Sequence, residues 1–280
     1  MISYSGWTML GAAASIGQTQ GSALIINSFF GVVLNASFGI ASQLNRFISM
    51  FAQNLSQAAI PQIVKSHSGG DDIRALNLVT YISKYSFFLM MLPALPILLE
   101  TEYLLKLWLG KIPEYTVIFT QLMIILGLSD SLRAGIPAAI QATGKIKWFQ
   151  IFMSLSLLMG LPISIYLFKT GLPPYYIQLV YIGASILNTV VAVAMLKQLI
   201  NFNVFFLLKN AYSKILIVTL FVLPLYSIHF FLKESVIRFI FTVILSIVLY
   251  IGAVYLFGFN RSEKVIVINS FRLVREKLFN

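Results

Sequence analysis

Six polar residues recur along one otherwise apolar stretch: Asn35, Ser42, Arg46, Ser49, Gln53 and Gln57, at spacings of 7, 4, 3, 4 and 4. At about 100° per residue of helix they fall within an arc of roughly 80°, one polar stripe on one face. The chemistry such a stripe offers is recognition rather than bond making. Amides and hydroxyls donate and accept hydrogen bonds, and Arg46 adds a permanent cation suited to carboxylates and phosphates. Two readings are open. In one, the stripe faces a water-filled cavity in which Arg46 holds an anion. In the other it joins helices, with Arg46 paired to a carboxylate on a neighbour.

Asp130 and Arg133 form a second constellation. Three residues apart, they share a helix face, and Pro137 and Gln141 continue it. One reading is a self-neutralising ion pair. The other has Asp130 exchanging a proton or cation during transport, Arg133 reaching substrate, or Asp130 balancing Arg46 across a cavity. Further upstream, Gln20 and Asn27 lie seven residues apart on one face, where they could line the same cavity, and Gly17 and Gly21 have the spacing of close helix packing. These ten residues are the candidate site.

Catalytic sets are missing. The chain has no cysteine and two histidines, His67 and His229, far apart in sequence. That excludes a thiolate nucleophile and a disulfide, and makes a histidine metal site a poor expectation. Both histidines are expected to be solvated. Gly144-Lys145 is not a phosphate-binding loop, because Ala139 and Ile146 stand where Gly and Ser or Thr belong. Neither an enzymatic activity nor a metal or other cofactor is expected.

The elements that must position these residues follow from composition. Of the 280 residues, 59% are hydrophobic and 10% charged, with mean hydropathy +0.88. Soluble domains carry about 25% charge, so lipid must be the solvent. Eight apolar runs reach the roughly 20 residues a membrane helix needs. They are Gly6 to Gly31, Val33 to Ile60, Leu78 to Leu99, Tyr115 to Ala142, Trp148 to Phe168, Tyr175 to Leu196, Lys214 to Leu232 and Val236 to Phe259. The connections are short and carry turn chemistry, as at Gly69-Gly70-Asp71-Asp72 and Gly171 with Pro173-Pro174. Pro93, Pro96, Gly160 and Pro162 are expected to soften or kink their helices.

The net charge of +11 falls between the apolar runs and points to membrane flanks, not to nucleic acid. One set of flanks holds 13 basic residues, among them Lys65, Arg74, Lys84, Lys145, Lys147, Lys197, Lys209 and Lys214; the other holds Lys106, Lys111, Lys169, Lys233 and Arg238. The positive-inside rule puts both termini in the cytoplasm. The N-terminus does not have the pattern of a signal peptide. Residues 261–280, with Arg272-Leu273-Val274-Arg275, read as a basic amphipathic tail on anionic lipid.

Several stretches resemble one family. They are NSFFGVVLNASFGIASQLNRFISMFAQNLSQAAIPQIVKSHSGGD (Asn27 to Asp71), ILLETEYLLKLWLGKIPEYTVIF (Ile97 to Phe119), IQATGKIK (Ile140 to Lys147) and LPISIYLFKTGLPPYY (Leu161 to Tyr176). The family is the O-antigen and capsule lipid-linked oligosaccharide flippases of the multidrug/oligosaccharidyl-lipid/polysaccharide superfamily, the MATE-like transporters. The resemblance covers about Gly6 to Ile200 and matches the family's second half. It implies an all-α, polytopic membrane protein. Residues 1–200 would be the C-terminal six-helix lobe, residues 201–260 two additional helices, and residues 261–280 the tail. It further implies alternating access and transport of undecaprenyl-diphosphate-linked oligosaccharide across the bacterial inner membrane, with cavity cations holding the diphosphate. Arg46 matches that role and Arg133 matches it less well. The first lobe is not represented, so a truncated product, or pairing with a separate N-terminal lobe or a second copy, is expected. A cation-coupled multidrug efflux half and an inactive structural subunit are the alternatives.

Overall fold

A computed structural model describes residues 2–228, 233–265 and 269, with side chains from residue 5 onward. His229 and most of the basic tail, residues 266–268 and 270–280 with Arg272 and Arg275, lie outside the described residues. α1 (Ile2–Phe30) passes into α2 (Val32–Ser68) through Gly31, whose φ of 84° is open to glycine and strained for other residues. α2 ends at Gly69. Asp71 then caps α3 (Asp72–Leu99) by accepting from the Arg74 N–H at 2.9 Å. α3 runs unbroken through Pro93 and Pro96. The short α4 (Thr101–Leu109), which the hydropathy pattern did not anticipate, turns the chain toward α5 (Thr116–Ser131).

The expected fourth span is broken. α5 stops at Ser131, and α6 (Ile136–Ala142) continues after a four-residue turn at an angle of 40°. α7 (Lys147–Lys169), α8 (Tyr176–Ile200), α9 (Val204–Leu207), α10 (Ser213–Val222) and α11 (Val236–Ala253) follow. A wide π turn, Leu208–Tyr212, joins α9 to α10, and another, Val254–Gly258, extends α11. The seventh span thus begins at Val204, ten residues before its expected start at Lys214. Among the described residues there is no strand.

Five helical segments are long and apolar enough to cross a membrane: Asp72–Leu99, Lys147–Lys169, Tyr176–Ile200, Val204–Ser227 and Val236–Gly258. The bent pair α5–α6 makes a sixth when taken as one span. α1 and α2 are long enough, at 29 and 37 residues, but too polar to join that group by composition. Large apolar side chains such as Leu155, Ile186, Leu216, Ile237 and Ile244 point outward from the peripheral helices, the inverse of a water-facing surface. The protein is an all-helical, polytopic membrane protein.

α3 is the central post. It is 67% buried, against 22% for the last span. Phe88 and Met91 of α3, Ile48 of α2, Ile124 of α5, Val218 of α10 and Tyr250 of α11 share one core, so the helices of residues 201–260 pack directly on the rest. Two ion pairs fasten α3 and its C-terminal end to the last span. At one end Arg238 Nη2 donates to Glu100 Oε2 at 2.9 Å. At the other, Lys84 Nζ donates to Glu263 at 2.6 and 2.8 Å and to the Gly258 carbonyl at 3.4 Å. Lys84, expected at a wet flank, is fully buried and lies near the rings of Tyr81 and Tyr85. His67, expected to be solvated, contacts Asp72 Oδ1 through Nδ1 at 2.5 Å.

Candidate binding cavity

The polar stripe of α2 faces space. A cavity of about 780 Å³, open on one side, is bordered by Ser42, Arg46, Ser49, Gln53 and Gln57 of α2, with Gln20 of α1 opposite and Asp130 of α5 beside them. Six of the eight residues expected to bind substrate are therefore brought together. The remaining two are not. Asn27 and Asn35 lie outside the cavity, because α1 and α2 converge at Gly31 and an apolar cluster of Ile26, Phe38, Phe119 and Phe168 closes that end. Asn27 is exposed there and Asn35 half-buried.

Arg46 is exposed to this space. Its Nε donates to the Ser42 carbonyl of its own helix at 3.4 Å, and among the described residues it forms no ion pair. The helix-joining reading, which needs a carboxylate on a neighbour, lacks that carboxylate. Asp130 has a different partner: Arg133 Nη1 lies 2.6 Å from its Oδ1. The Ser185 hydroxyl donates to the same oxygen at 2.6 Å and accepts from Arg133 Nη1 at 3.0 Å. Arg133, in the turn between α5 and α6, does not border the cavity. The ion-pair reading of these two residues is the geometry observed.

Several cavity residues escaped the sequence reading. Asn45 and Ser56 flank the stripe and widen its arc to roughly 120° on a helix of about 100° per residue. Ser15, Gln18, Thr19 and Ser22 line the α1 wall; a polar face spread over α1 was the available signal. Gln178 and Tyr181 come from α8, where no periodic pattern marks them. The close approach behind them depends on glycine. A Cβ at Gly160 would collide with the Tyr181 ring, and one at Gly127 would collide with Met90 and Asn45.

No family model, curated protein or solved structure matches this chain. Among the described residues the cavity holds one cation without an ion pair, one paired carboxylate, and amides and hydroxyls from α1, α2, α5 and α8. Such a set can bind by hydrogen bonds and by one positive charge. No group of three His, Asp or Glu among the described residues is placed to hold a metal.

Proposed function

We propose that this chain is the cavity-bearing lobe of a flippase that moves undecaprenyl-diphosphate-linked oligosaccharide across the bacterial inner membrane by alternating access. The observation that carries the reading is Arg46, a cation without an ion-pair partner among the described residues, set among amides and hydroxyls on the wall of an open cavity. A guanidinium at bilayer depth costs at least about 2.5–3.5 kcal/mol to insert. An anionic headgroup would offset that cost, and the surrounding Gln and Ser side chains suit sugar hydroxyls. The resemblance of residues 6–200 to this family points the same way. In this reading α1 and α2 cross the membrane, giving eight spans with both termini in the cytoplasm. The exposed Gln20, Arg46, Gln53 and Gln57 face a second lobe or a second copy that completes the cavity.

The test is direct binding. The chain in lipid nanodiscs is expected to bind an undecaprenyl-diphosphate-linked oligosaccharide, and Arg46→Ala to bind it at least ~10-fold more weakly, the scale of one charge-assisted hydrogen bond. Equal binding by the two proteins would sink the proposal. A second reading, cation-coupled multidrug efflux, draws on Asp130 at the same cavity wall. The Arg133 guanidinium already neutralises that carboxylate, which leaves the cavity cationic and favours the anionic substrate.

A further inference from the structure

Asp130 and Arg133 border different spaces. Asp130 lines the open cavity. Arg133 lines a second pocket of about 320 Å³, bordered by α1, α6, α7 and α8 and itself open on one side. The bond between them therefore sits on the boundary, and Ser185 braces it from α8.

The second pocket has a mixed lining, in which Phe149, Met153 and Leu157 sit beside polar groups that are not all hydrogen-bonded. Asn188 is 1% exposed and Ser154 is 3% exposed. Both line the pocket, and among the described residues neither Asn188 Oδ1 nor Ser154 Oγ has a hydrogen-bond partner. Native proteins satisfy nearly all such buried groups, because an unpartnered one forfeits its hydration. Gln141 and Gln150 add amides to the same walls. Among the described residues, Arg133 hydrogen-bonds through Nη1 alone. Donors and acceptors are thus both available, while Asp130 cancels the charge of Arg133. That balance suits water and uncharged hydroxyl groups rather than an ion.

The backbone is already interrupted where the pair sits. Arg133 belongs to the turn of residues 132–135, between two helices bent by 40°, so its side chain is not held by a continuous helix. We infer that the Asp130–Arg133 pair is a gate between the central cavity and this second pocket, and that parting the pair joins the two. The gate does not depend on which substrate the cavity carries.

The chain has no cysteine, so single-cysteine reporters are unambiguous. Ser154→Cys puts a thiol of similar size in the second pocket, and Ser42→Cys puts one in the cavity. Each protein, in nanodiscs, is reacted with a small water-soluble methanethiosulfonate. Adding Asp130→Asn is expected to speed labelling of Ser154→Cys by ~10-fold or more, the population shift expected from losing one charge-assisted bond, and to leave Ser42→Cys within about twofold. Ser185→Ala, which removes the brace and keeps both charges, is expected to act in the same direction. An unchanged Ser154→Cys rate in both backgrounds overturns the gate. So does equal acceleration of both reporters in both backgrounds, which would make the pair a structural strut.

Discussion

Arg46 and Tyr181 show two ways in which one side chain shapes the cavity. Arg46 contributes charge and depends on its surroundings being wet. Tyr181 contributes shape and depends on a neighbour being small. Its ring lies against Gly160 of α7, and its hydroxyl lies 3.5 Å from Ser22 Oγ of α1. Gly160→Ala is therefore expected to lower stability by about 1–3 kcal/mol, the usual cost of overpacking, and to displace the cavity wall. A thermal melt of the purified protein followed by Trp fluorescence measures the first effect. An unchanged melting temperature would mean that the ring moves aside freely. The stripe of α2 was legible in the sequence because a helix repeats every 3.6 residues and polar side chains are rare at bilayer depth. Gln178 and Tyr181 were not legible. Their place in the cavity depends on how α8 packs against α1 and α5, and no local pattern encodes that.

α3 and the last span are an example of elements held by charge at both ends. Lys84→Met leaves the Glu263 carboxylate buried without its cation, and removing one member of a buried pair costs about 3–5 kcal/mol. Lys84→Met combined with Glu263→Leu should recover most of that loss; a double variant no more stable than the single one would show that the pair itself contributes net stability. The same contact makes a pH prediction. Burial raises the affinity of the Glu263 carboxyl for a proton, but hydrogen bonds from Lys84, from the Asn260 N–H and from Tyr85 outweigh it and hold the group below its ordinary value. Its contribution is complete above the ordinary carboxylate range and is lost as pH falls through the depressed value. Acidification below pH ~4, the model-compound carboxylate range, should loosen residues 258–265 before the helical core, as hydrogen exchange would detect. Uniform loosening would contradict this. The element boundaries were largely legible: among the described residues seven of the eight expected stretches appear as continuous helical segments, with shifted ends, and one is broken. The break at residues 132–135 had signals in Gly135 and in Pro137, which opens α6 and cannot bond back to the Arg133 carbonyl, but its partners were not legible. Its Leu132 carbonyl finds a partner in the Tyr212 hydroxyl at 3.1 Å, a contact between residues 80 apart that sequence spacing could not suggest.

For the whole molecule, the number of helices that cross turns on α1 and α2. Their polarity has one physical explanation in the proposed function: one face meets water and a partner, and only the other meets lipid or packed helix. A phosphatase reporter inserted at Gly31 is expected to be active, because that corner then faces the periplasm. An inactive enzyme there, with an active one at Gly171, would mean that α1 and α2 do not cross.

The paired charges have an electrical consequence. Three ion pairs, Lys84–Glu263, Glu100–Arg238 and Asp130–Arg133, carry no net charge, so moving them through a membrane potential does no work. Among the described residues Arg46 lacks such a partner. Rocking an empty lobe would then carry about one positive charge through the field, worth at most roughly 2.3 kcal/mol per 100 mV. With a doubly ionised diphosphate seated against Arg46, the moving charge becomes negative. On the proposed function, membrane voltage pushes the loaded and empty forms in opposite directions, which is the condition for a potential to drive a cycle rather than only bias one step.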